Sequence, residues 1–269
     1  MPPVSPARVE LAVLLVGTGA WCWGLQRTWA RWGHGRVVRF WQANALLAGV
    51  AVAGLATLGP YDAVADRSIA GHMGQHVVLM VVAGPLLACG RPLLVLGALL
   101  PSRARARDLQ RAAAPVARWA RPGTSGWVAL AAGAVALHTA VMVAWHVPVL
   151  YDLAVRDEAV HALEHLTMTA SAVALWSVVL GAGRRRPGPA AMAALFGANV
   201  PMTLLGFALL MSRTRWYPVY GTGLDDQQAA GALLWGVGGA LVVVEAAAVF
   251  AWWFGAEERP AAPLGSPST

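Results

Sequence analysis

The chain contains no lysine and few charged residues of any kind. Arginine supplies all 20 of its Lys and Arg positions, and charged residues make up only 12% of the 269 residues, about half the share that is usual in soluble domains. Apolar residues reach 58% and lie in long uninterrupted runs, which a soluble core does not require. The arginines fall in short segments between those runs, so we expect a membrane protein with no nucleic-acid partner.

Cysteine and the common enzyme motifs are equally scarce. The two cysteines, Cys22 and Cys89, are too far apart for a Cys-x-x-Cys metal or redox motif. Both are expected at cytoplasmic helix ends, where disulfides rarely persist. The sequence also lacks a P-loop, a G-x-S-x-G and an H-E-x-x-H pattern, so no sequence signal favours an enzyme.

Apolar runs of roughly 20 residues, long enough for a helix to cross a bilayer, dominate the chain. They lie at residues 9–25, 38–58, 70–90, 126–146, 159–182, 190–211 and 228–254. We therefore predict an all-α, polytopic transmembrane helix bundle of about seven spans, formed as a single transmembrane domain by residues 1–255. The Pro-, Ala- and Ser-rich residues 256–269 are predicted to be a disordered cytoplasmic tail.

Arginines are concentrated in alternate connections between the runs. The connections after runs two, four and six hold only Arg67, Arg156, Arg213 and Arg215. Because positive residues are retained in the cytoplasm, the N-terminus is predicted outside and the C-terminus inside. Thr18–Gly19–Ala20 resembles a signal-peptidase site, and cleavage there would leave six spans; the arginines after run one oppose this, because a secretory signal carries its positive charge before the apolar run.

Five histidines are predicted to share one level of the membrane. His72 and His76 start the third run, His146 ends the fourth, and His161 and His165 start the fifth. With the predicted orientation all three places are on the outer face, and residues four apart lie on one helix face. We interpret this cluster as a metal site, since ionisable residues inside a membrane are costly and usually functional. The alternative is that the rings are interfacial residues with their polar ends among the headgroups.

Further donors continue these stripes inward at helical spacing. Met80, His138, Met142 and Met168 are possible secondary ligands, with His138 about 12 Å below His146. Imidazole suits copper, zinc, iron and nickel, whereas thioether favours Cu(I), so the suspected metal is copper. The methionines alone would be explained by ordinary helix packing.

Two carboxylates are candidates for holding the outer N–H group of a ligand histidine, as carboxylates commonly do in metal sites. These are Glu164 and Asp226, although Asp225 and Asp226 are equally well explained as helix caps. Glu245 lies deep in the seventh run. Two interpretations of its role remain open, a proton relay and a contact between helices.

Three ordered blocks of sequence contain most of the polar residues discussed above. The blocks are Gly71–His72–Met73–Gly74–Gln75–His76 with Gly90–Arg91–Pro92, Trp145–His146–Val147–Pro148 with His161–Ala162–Leu163–Glu164–His165, and Asp226–Gln227–Gln228 with Leu234–Trp235. Together they resemble the CtaG family of multi-spanning bacterial cytochrome c oxidase assembly factors, and the resemblance covers about residues 40–255.

The resemblance implies a non-enzymatic factor that matures a haem–copper oxidase. Its expected location is the bacterial cytoplasmic membrane, and its expected partners are oxidase subunits in that membrane, the lipid bilayer and copper. Binding of copper by the histidines is our inference from their arrangement and not part of the resemblance. A copper permease and a membrane haem or redox protein remain alternatives.

Overall fold

The computed structural model describes residues 6–58, 60–99, 125–181 and 188–257, which are helical wherever they are regular and include no strand. In chain order the helices are α1 (Pro6–Trp32), α2 (Phe40–Thr57), α3 (Asp62–Ala65), α4 (Ile69–Cys89), α5 (Pro92–Gly97), α6 (Ser125–Trp145), α7 (Pro148–Arg156), α8 (Glu158–Val179), α9 (Pro189–Met211) and α10 (Leu224–Glu257). Two of them contain a π-helical segment, Val78–Ala83 in α4 and Leu233–Gly238 in α10. A one-turn 3-10 helix, Pro218–Tyr220, precedes α10.

Seven of these helices in the described ranges are long and apolar enough to cross a membrane: α1, α2, α4, α6, α8, α9 and α10. The predicted all-α polytopic bundle is therefore confirmed. Large apolar side chains are exposed on its outer faces, among them Leu55 at 69% and Leu204 at 63%. Such surfaces are unfavourable in water and suit contact with lipid tails.

The predicted span limits agree with the helices to within a few residues, except at two places. α1 continues to Trp32, and in its last turn the Arg31 guanidinium lies 5.1 Å from the ring centroid of Trp32, a favourable cation–π geometry. α10 begins at Leu224, because Asp225 and Asp226 occupy its first turn, where acidic side chains complement the positive end of the helix dipole.

The two helices that carry the histidine pairs begin with side-chain caps. Ser68 Oγ accepts a hydrogen bond from Gly71 N at 3.0 Å and caps α4. Asp157 Oδ1 accepts from Ala159 N at 2.9 Å and Val160 N at 3.1 Å and caps α8. Caps of this kind satisfy backbone N–H groups that have no partner within the helix, and they fix where the first turn of each helix begins.

Small residues let these helices approach closely. A Cβ on Gly231 of α10 would overlap the backbone of Leu210 and Gly206 in α9, and a Cβ on Gly84 of α4 would press on Ala172 in α8 at 2.8 Å. Close backbone contact through small residues is a common way to pack membrane helices. It sets α8 against α4, where the histidines lie, and α10 against α9.

The polar groups gather at one end of the bundle, which we call the histidine end. It comprises the starts of α1, α4, α8 and α10 and the end of α6. The opposite end contains the loop 33–39 and α5, joined by the hydrogen bond from Arg91 Nη1 to Val37 O at 3.0 Å. The arginine-rich residues 103–121 and 184–186 and most of the predicted tail at 256–269 lie outside the described residues, so the orientation and the tail stay predictions.

Candidate metal centre

Two histidines of α4 form the first half of the site. His72 and His76 lie one helical turn apart on the same face of α4, and both are buried, with exposures of 1% and 0%. Their Nε2 atoms are 2.9 Å apart. Two ring nitrogens at this distance either share a proton or bind a common cation, because two opposed lone pairs repel each other.

The first two turns of α8 supply the second half. The ring centroids of His161 and His165 are 4.2 Å apart, and Glu164 faces α4 from between them. Its Oε2 is 3.3 Å from His72 Nε2 and its Oε1 is 3.5 Å from His76 Nε2, in positions that lack hydrogen-bond geometry. Glu164 is completely buried, and a buried carboxylate is costly unless a positive partner is close.

These donors form two overlapping sets with the spacing of metal ligands. One atom from each of His72, His76 and His165 lies within 4.8 Å of the others, and the same holds for His72, His161 and Glu164. Ligand nitrogens bound to a tetrahedral zinc-sized ion are about 3.3 Å apart. The 3.3 Å between His72 Nε2 and Glu164 Oε2 equals this value, the remaining separations lie below 4.8 Å, and His72 belongs to both sets.

Several donor atoms of this cluster are buried without a hydrogen-bond partner. They are His76 Nδ1, His161 Nε2, His165 Nε2, Glu164 Oε1 and Glu164 Oε2. Buried polar atoms normally have partners, and orphans concentrated in one cluster require an explanation. A bound cation would supply one, because it accepts the lone pairs of Nε2 and carboxylate atoms together.

The outer nitrogens of two rings are held by neighbouring helices. His165 Nδ1 lies 2.8 Å from Glu10 Oε1 of α1, and His72 Nδ1 lies 2.7 Å from the hydroxyl oxygen of Tyr220. If Nδ1 donates its hydrogen in both contacts, the lone pair of each ring is left on Nε2, which faces the cluster. This pattern is typical of ligand histidines, whose second nitrogen is usually held by a carboxylate or another polar group.

His146 lies beside the two sets rather than in either. Its ring centroid is 5.3 Å from that of His76. Its Nδ1 lies 2.7 Å from Met142 O, to which it donates, and its Nε2 lies 3.2 Å from Met73 Sδ. A neutral ring that donates through Nδ1 has a lone pair on Nε2, so an imidazole and a thioether face each other as two donors to a soft ion.

Aromatic residues from the loops cover the cluster. The rings of Tyr151 and Tyr217 are 4.0 Å apart, and Tyr151 is 5.0 Å from His72. The Tyr217 hydroxyl donates to His146 O at 2.8 Å. Burial raises the pKa of Tyr217 well above its usual range, so this hydroxyl keeps its proton and remains a donor. Gln227 holds the loop in place, accepting from the backbone N–H of Trp216 at 2.6 Å.

Asp226 has a different role from the one we predicted. Its Oδ2 accepts from Ile69 N at 2.8 Å and its Oδ1 from Ala70 N at 3.2 Å, and no contact to a histidine ring is found among the described residues. The capping alternative describes it better, but the helix that it caps is α4 and not its own. The reason is that the free N–H groups at the start of α4 meet the first turn of α10.

The deeper predicted donors lie apart from the two sets. Met80, Met142 and Met168 are buried in the apolar core below the cluster, and His138 Nδ1 is 3.0 Å from Ser171 Oγ. Glu164, predicted as a partner of a ligand, is instead a member of a donor set. The role of these residues as metal ligands therefore stays a prediction, and the structure shows only which of them lie close together.

Three contributors were missed by the sequence reasoning. Met73 is adjacent to His72 in the sequence, and both belong to the block Gly71–His72–Met73–Gly74–Gln75–His76 on which the family resemblance rests. Tyr220 lies in the segment before the seventh span, Tyr217–Pro218–Val219–Tyr220, for which the sequence analysis made no prediction. Glu10, an isolated acid at the start of the first apolar run, gave no signal of its own, because its contact with α8 depends on tertiary packing.

An acidic cavity of about 240 Å³ lies next to the cluster. Its lining includes His161 and the carboxylates of Glu10, Asp62, Asp66 and Glu158. Burial raises the pKa of Asp62, and a hydrogen bond from Gln75 partly opposes this effect. Two residues connect the cavity to the histidine cluster. His161 belongs to both, and Glu10 lines the cavity and contacts His165.

The fold and this cluster define a polytopic helical membrane protein with a buried His- and Glu-rich centre at one end. A family model described as cytochrome c oxidase caa3 assembly factor (Caa3_CtaG) matches residues 19–256. The chain therefore belongs to this family of cytochrome c oxidase assembly factors, as the sequence blocks indicated. No curated protein and no solved structure matches the chain.

Proposed function

We propose that this assembly factor binds a copper ion in the histidine cluster and passes it to a subunit of the oxidase. The observation that carries the proposal is the convergence of His72, His76, His161, Glu164 and His165, with their unpartnered donor atoms, in one buried place. A purely structural role would not explain why so many polar atoms are left without hydrogen bonds.

The donor set suits copper. Imidazole nitrogens are good ligands for both copper oxidation states, and the thioether of Met73 beside His146 adds a ligand that favours Cu(I). Glu164 contributes one negative charge, which balances a monovalent ion in an otherwise neutral set. Because the two sets share His72, the ion is able to move by exchanging one ligand at a time, which suits a protein that must release its cargo.

We place the cluster at the outer face of the bacterial cytoplasmic membrane. The alternation of arginines in the sequence supports this orientation. An oxidase subunit in the same membrane would then meet the histidine end from the side or from above. The cavity beside His161, with four carboxylates and one arginine, Arg156, in its lining, supports arrival of a cation at this end, since clefts with an excess of one charge concentrate ions of the opposite charge.

The haem alternative is less well supported by the geometry. Two axial histidines need a porphyrin between them, whereas the rings of the cluster pack against each other with centroids 4.2–5.3 Å apart for His161 with His165, His72 with His76 and His76 with His146. No slot separates these pairs. A copper permease would need ligands that continue to the opposite end. Among the described residues at that end, Cys22 and Cys89 are half-buried, His34 is exposed, and no group of three close donors is found there.

The test uses cells that express the oxidase together with the native factor or with His72→Ala/His165→Ala, which breaks both donor sets. The account predicts at least a tenfold fall in the copper content of the purified oxidase and in its activity together. The control is His34→Ala, an exposed histidine at the other end of the bundle. Normal copper loading by a double variant that is present at the native level in the membrane would overturn the proposal.

A further inference from the structure

A second cavity lies between the helices of the bundle, below the histidine cluster, and a few polar side chains interrupt its mainly apolar wall. Its volume is about 40 Å³, which is room for a few water molecules or an ion. The potential ligands in its wall are three thioethers, an imidazole and a carboxylate. They are Met80, Met142, Met202, His138 and Glu245.

His138 is oriented to leave a free donor. Ser171 Oγ donates its hydrogen to Met168 O at 2.8 Å, so it acts as an acceptor toward His138 Nδ1, which is 3.0 Å away. Nδ1 therefore carries the ring hydrogen, and Nε2 keeps its lone pair. This is the same arrangement as in the upper cluster, where an outer partner leaves Nε2 free.

Two side chains of the cavity wall have oxygen atoms without a partner. Within the described part of the chain, no hydrogen bond or ion pair is found for the half-buried Glu245, and Asn199 Oδ1 is buried without a partner although its Nδ2 donates to Thr203. An isolated carboxylate in a membrane span is costly and is usually functional. Simple packing of methionines does not account for a carboxylate and an amide oxygen in the same wall.

The cavity is one helical turn from the histidine cluster on two helices. Met80 follows His76 by four residues and Met142 precedes His146 by four, which is about 6 Å along a helix. Met142 O also accepts the hydrogen bond from His146 Nδ1 at 2.7 Å. Met80 lies in the π-helical segment of α4, and such segments occur frequently at functional sites.

We propose that this cavity is a second cation site, specific for a soft monovalent metal ion such as Cu(I). The thioethers of Met80, Met142 and Met202 supply the soft ligands that select such an ion, His138 supplies a nitrogen, and Glu245 balances its charge. The identification of the ion as Cu(I) rests on the proposed copper function, whereas the existence of the site rests on the cavity itself. The bundle then holds the ion in two steps, first among imidazoles and then among thioethers.

The probe is Ag(I), a soft ion that is not oxidised, bound to the full chain in detergent and counted by elemental analysis after equilibrium dialysis. The variant is Met80→Leu/Met142→Leu, which conserves side-chain volume and therefore folding. The control is Met192→Leu/Met211→Leu, because neither methionine lines the cavity. We expect the cavity variant to bind about one Ag(I) fewer per chain than the native protein and the control.

A third variant, His72→Ala/His165→Ala, which breaks both donor sets of the upper cluster, separates this inference from the proposed function. If it loses the upper ion and keeps a Met-dependent one, both sites are real and independent. If the cavity variant binds as much Ag(I) as the native chain, the cavity holds only water and the inference is overturned, whatever the histidine variant shows. Glu245→Gln is a second test of the cavity site. We expect this variant to lose at least tenfold in Ag(I) affinity at the Met-dependent site.

Discussion

Glu10 Oε1 of α1 lies 2.8 Å from Nδ1 of His165 in α8. The two side chains are mostly buried, with exposures of 12% for Glu10 and 4% for His165. A carboxylate of the first span therefore contacts a histidine ring of the fifth span. The predicted carboxylate partners were Glu164 and Asp226, and the carboxylate found on the outer nitrogen of a cluster histidine is Glu10. It makes α1 part of the site and not only part of the membrane anchor.

Replacing Glu10 should weaken copper binding without unfolding the bundle. Glu10→Ala removes the acceptor that orients His165, and losses of about 10- to 100-fold in metal affinity are usual for such partners. Glu10→Gln should lose less, because its amide oxygen still accepts a hydrogen bond. The measurement is competition with a chelator of known affinity. Glu158→Gln, on the wall of the same acidic cavity, is the control, and equal affinity in Glu10→Ala and this control would count against the assigned role.

Tyr220→Phe should have a similar effect through His72. The hydroxyl contacts His72 Nδ1 at 2.7 Å, and its removal frees the ring to turn and to change tautomer. We expect at least a tenfold loss in copper affinity and about 1 kcal/mol of stability. Tyr217→Phe is the matched control, because that hydroxyl donates to the backbone of His146 and should affect stability alone. Identical copper affinities in the two variants would show that the contact with His72 does not matter.

Gly231→Ala should destabilise the bundle at the contact between α9 and α10. The added methyl group would overlap backbone atoms of Leu210 and Gly206, which cannot rotate away as a side chain does. Overpacking of this kind costs about 1–3 kcal/mol, visible as a lower thermal midpoint in detergent. Gly239→Ala in the same helix meets no atom within 4 Å and should be neutral or slightly stabilising. A midpoint for Gly231→Ala equal to that of Gly239→Ala would show that the two helices are not closely packed.

The orientation is tested by labelling single cysteines in intact cells. In a Cys22→Ala/Cys89→Ala background, Thr214→Cys lies at the histidine end and His34→Cys at the opposite end, and both positions are exposed. A membrane-impermeant maleimide should label Thr214→Cys in intact cells and His34→Cys only after the membrane is opened. Labelling in the reverse order would place the histidine end in the cytoplasm.

The sequence predicts the fold well because each span carries its own signal. Apolar length identifies the seven helices, and the four-residue spacing of His72 with His76 and of His161 with His165 places each pair on one helix face. Both features are local in the sequence, so they are recognisable without knowledge of how the helices pack. Their shared depth follows from the alternation of spans across the membrane.

The inner arrangement of the site depends on packing and was only partly predictable. Glu164 sits between two ligand positions in the sequence, but its facing toward α4 is set by the contact of α4 with α8. Asp226 caps a helix that is distant in sequence, and Glu10 reaches His165 across the bundle. No pattern in the chain pairs such residues. The deep cavity likewise joins Glu245 to His138, which the sequence left as separate observations.

The most direct test of the central claim is the copper content of the purified full chain after loading and removal of free metal. The native protein and His34→Ala should retain copper, whereas His72→Ala/His165→Ala, which breaks both donor sets, should lose the ion of the histidine cluster. X-ray absorption of the native sample should show nitrogen ligands at about 2.0 Å. A native protein that retains no copper, or a double variant that retains as much as the native chain with the same nitrogen ligands, would contradict the account.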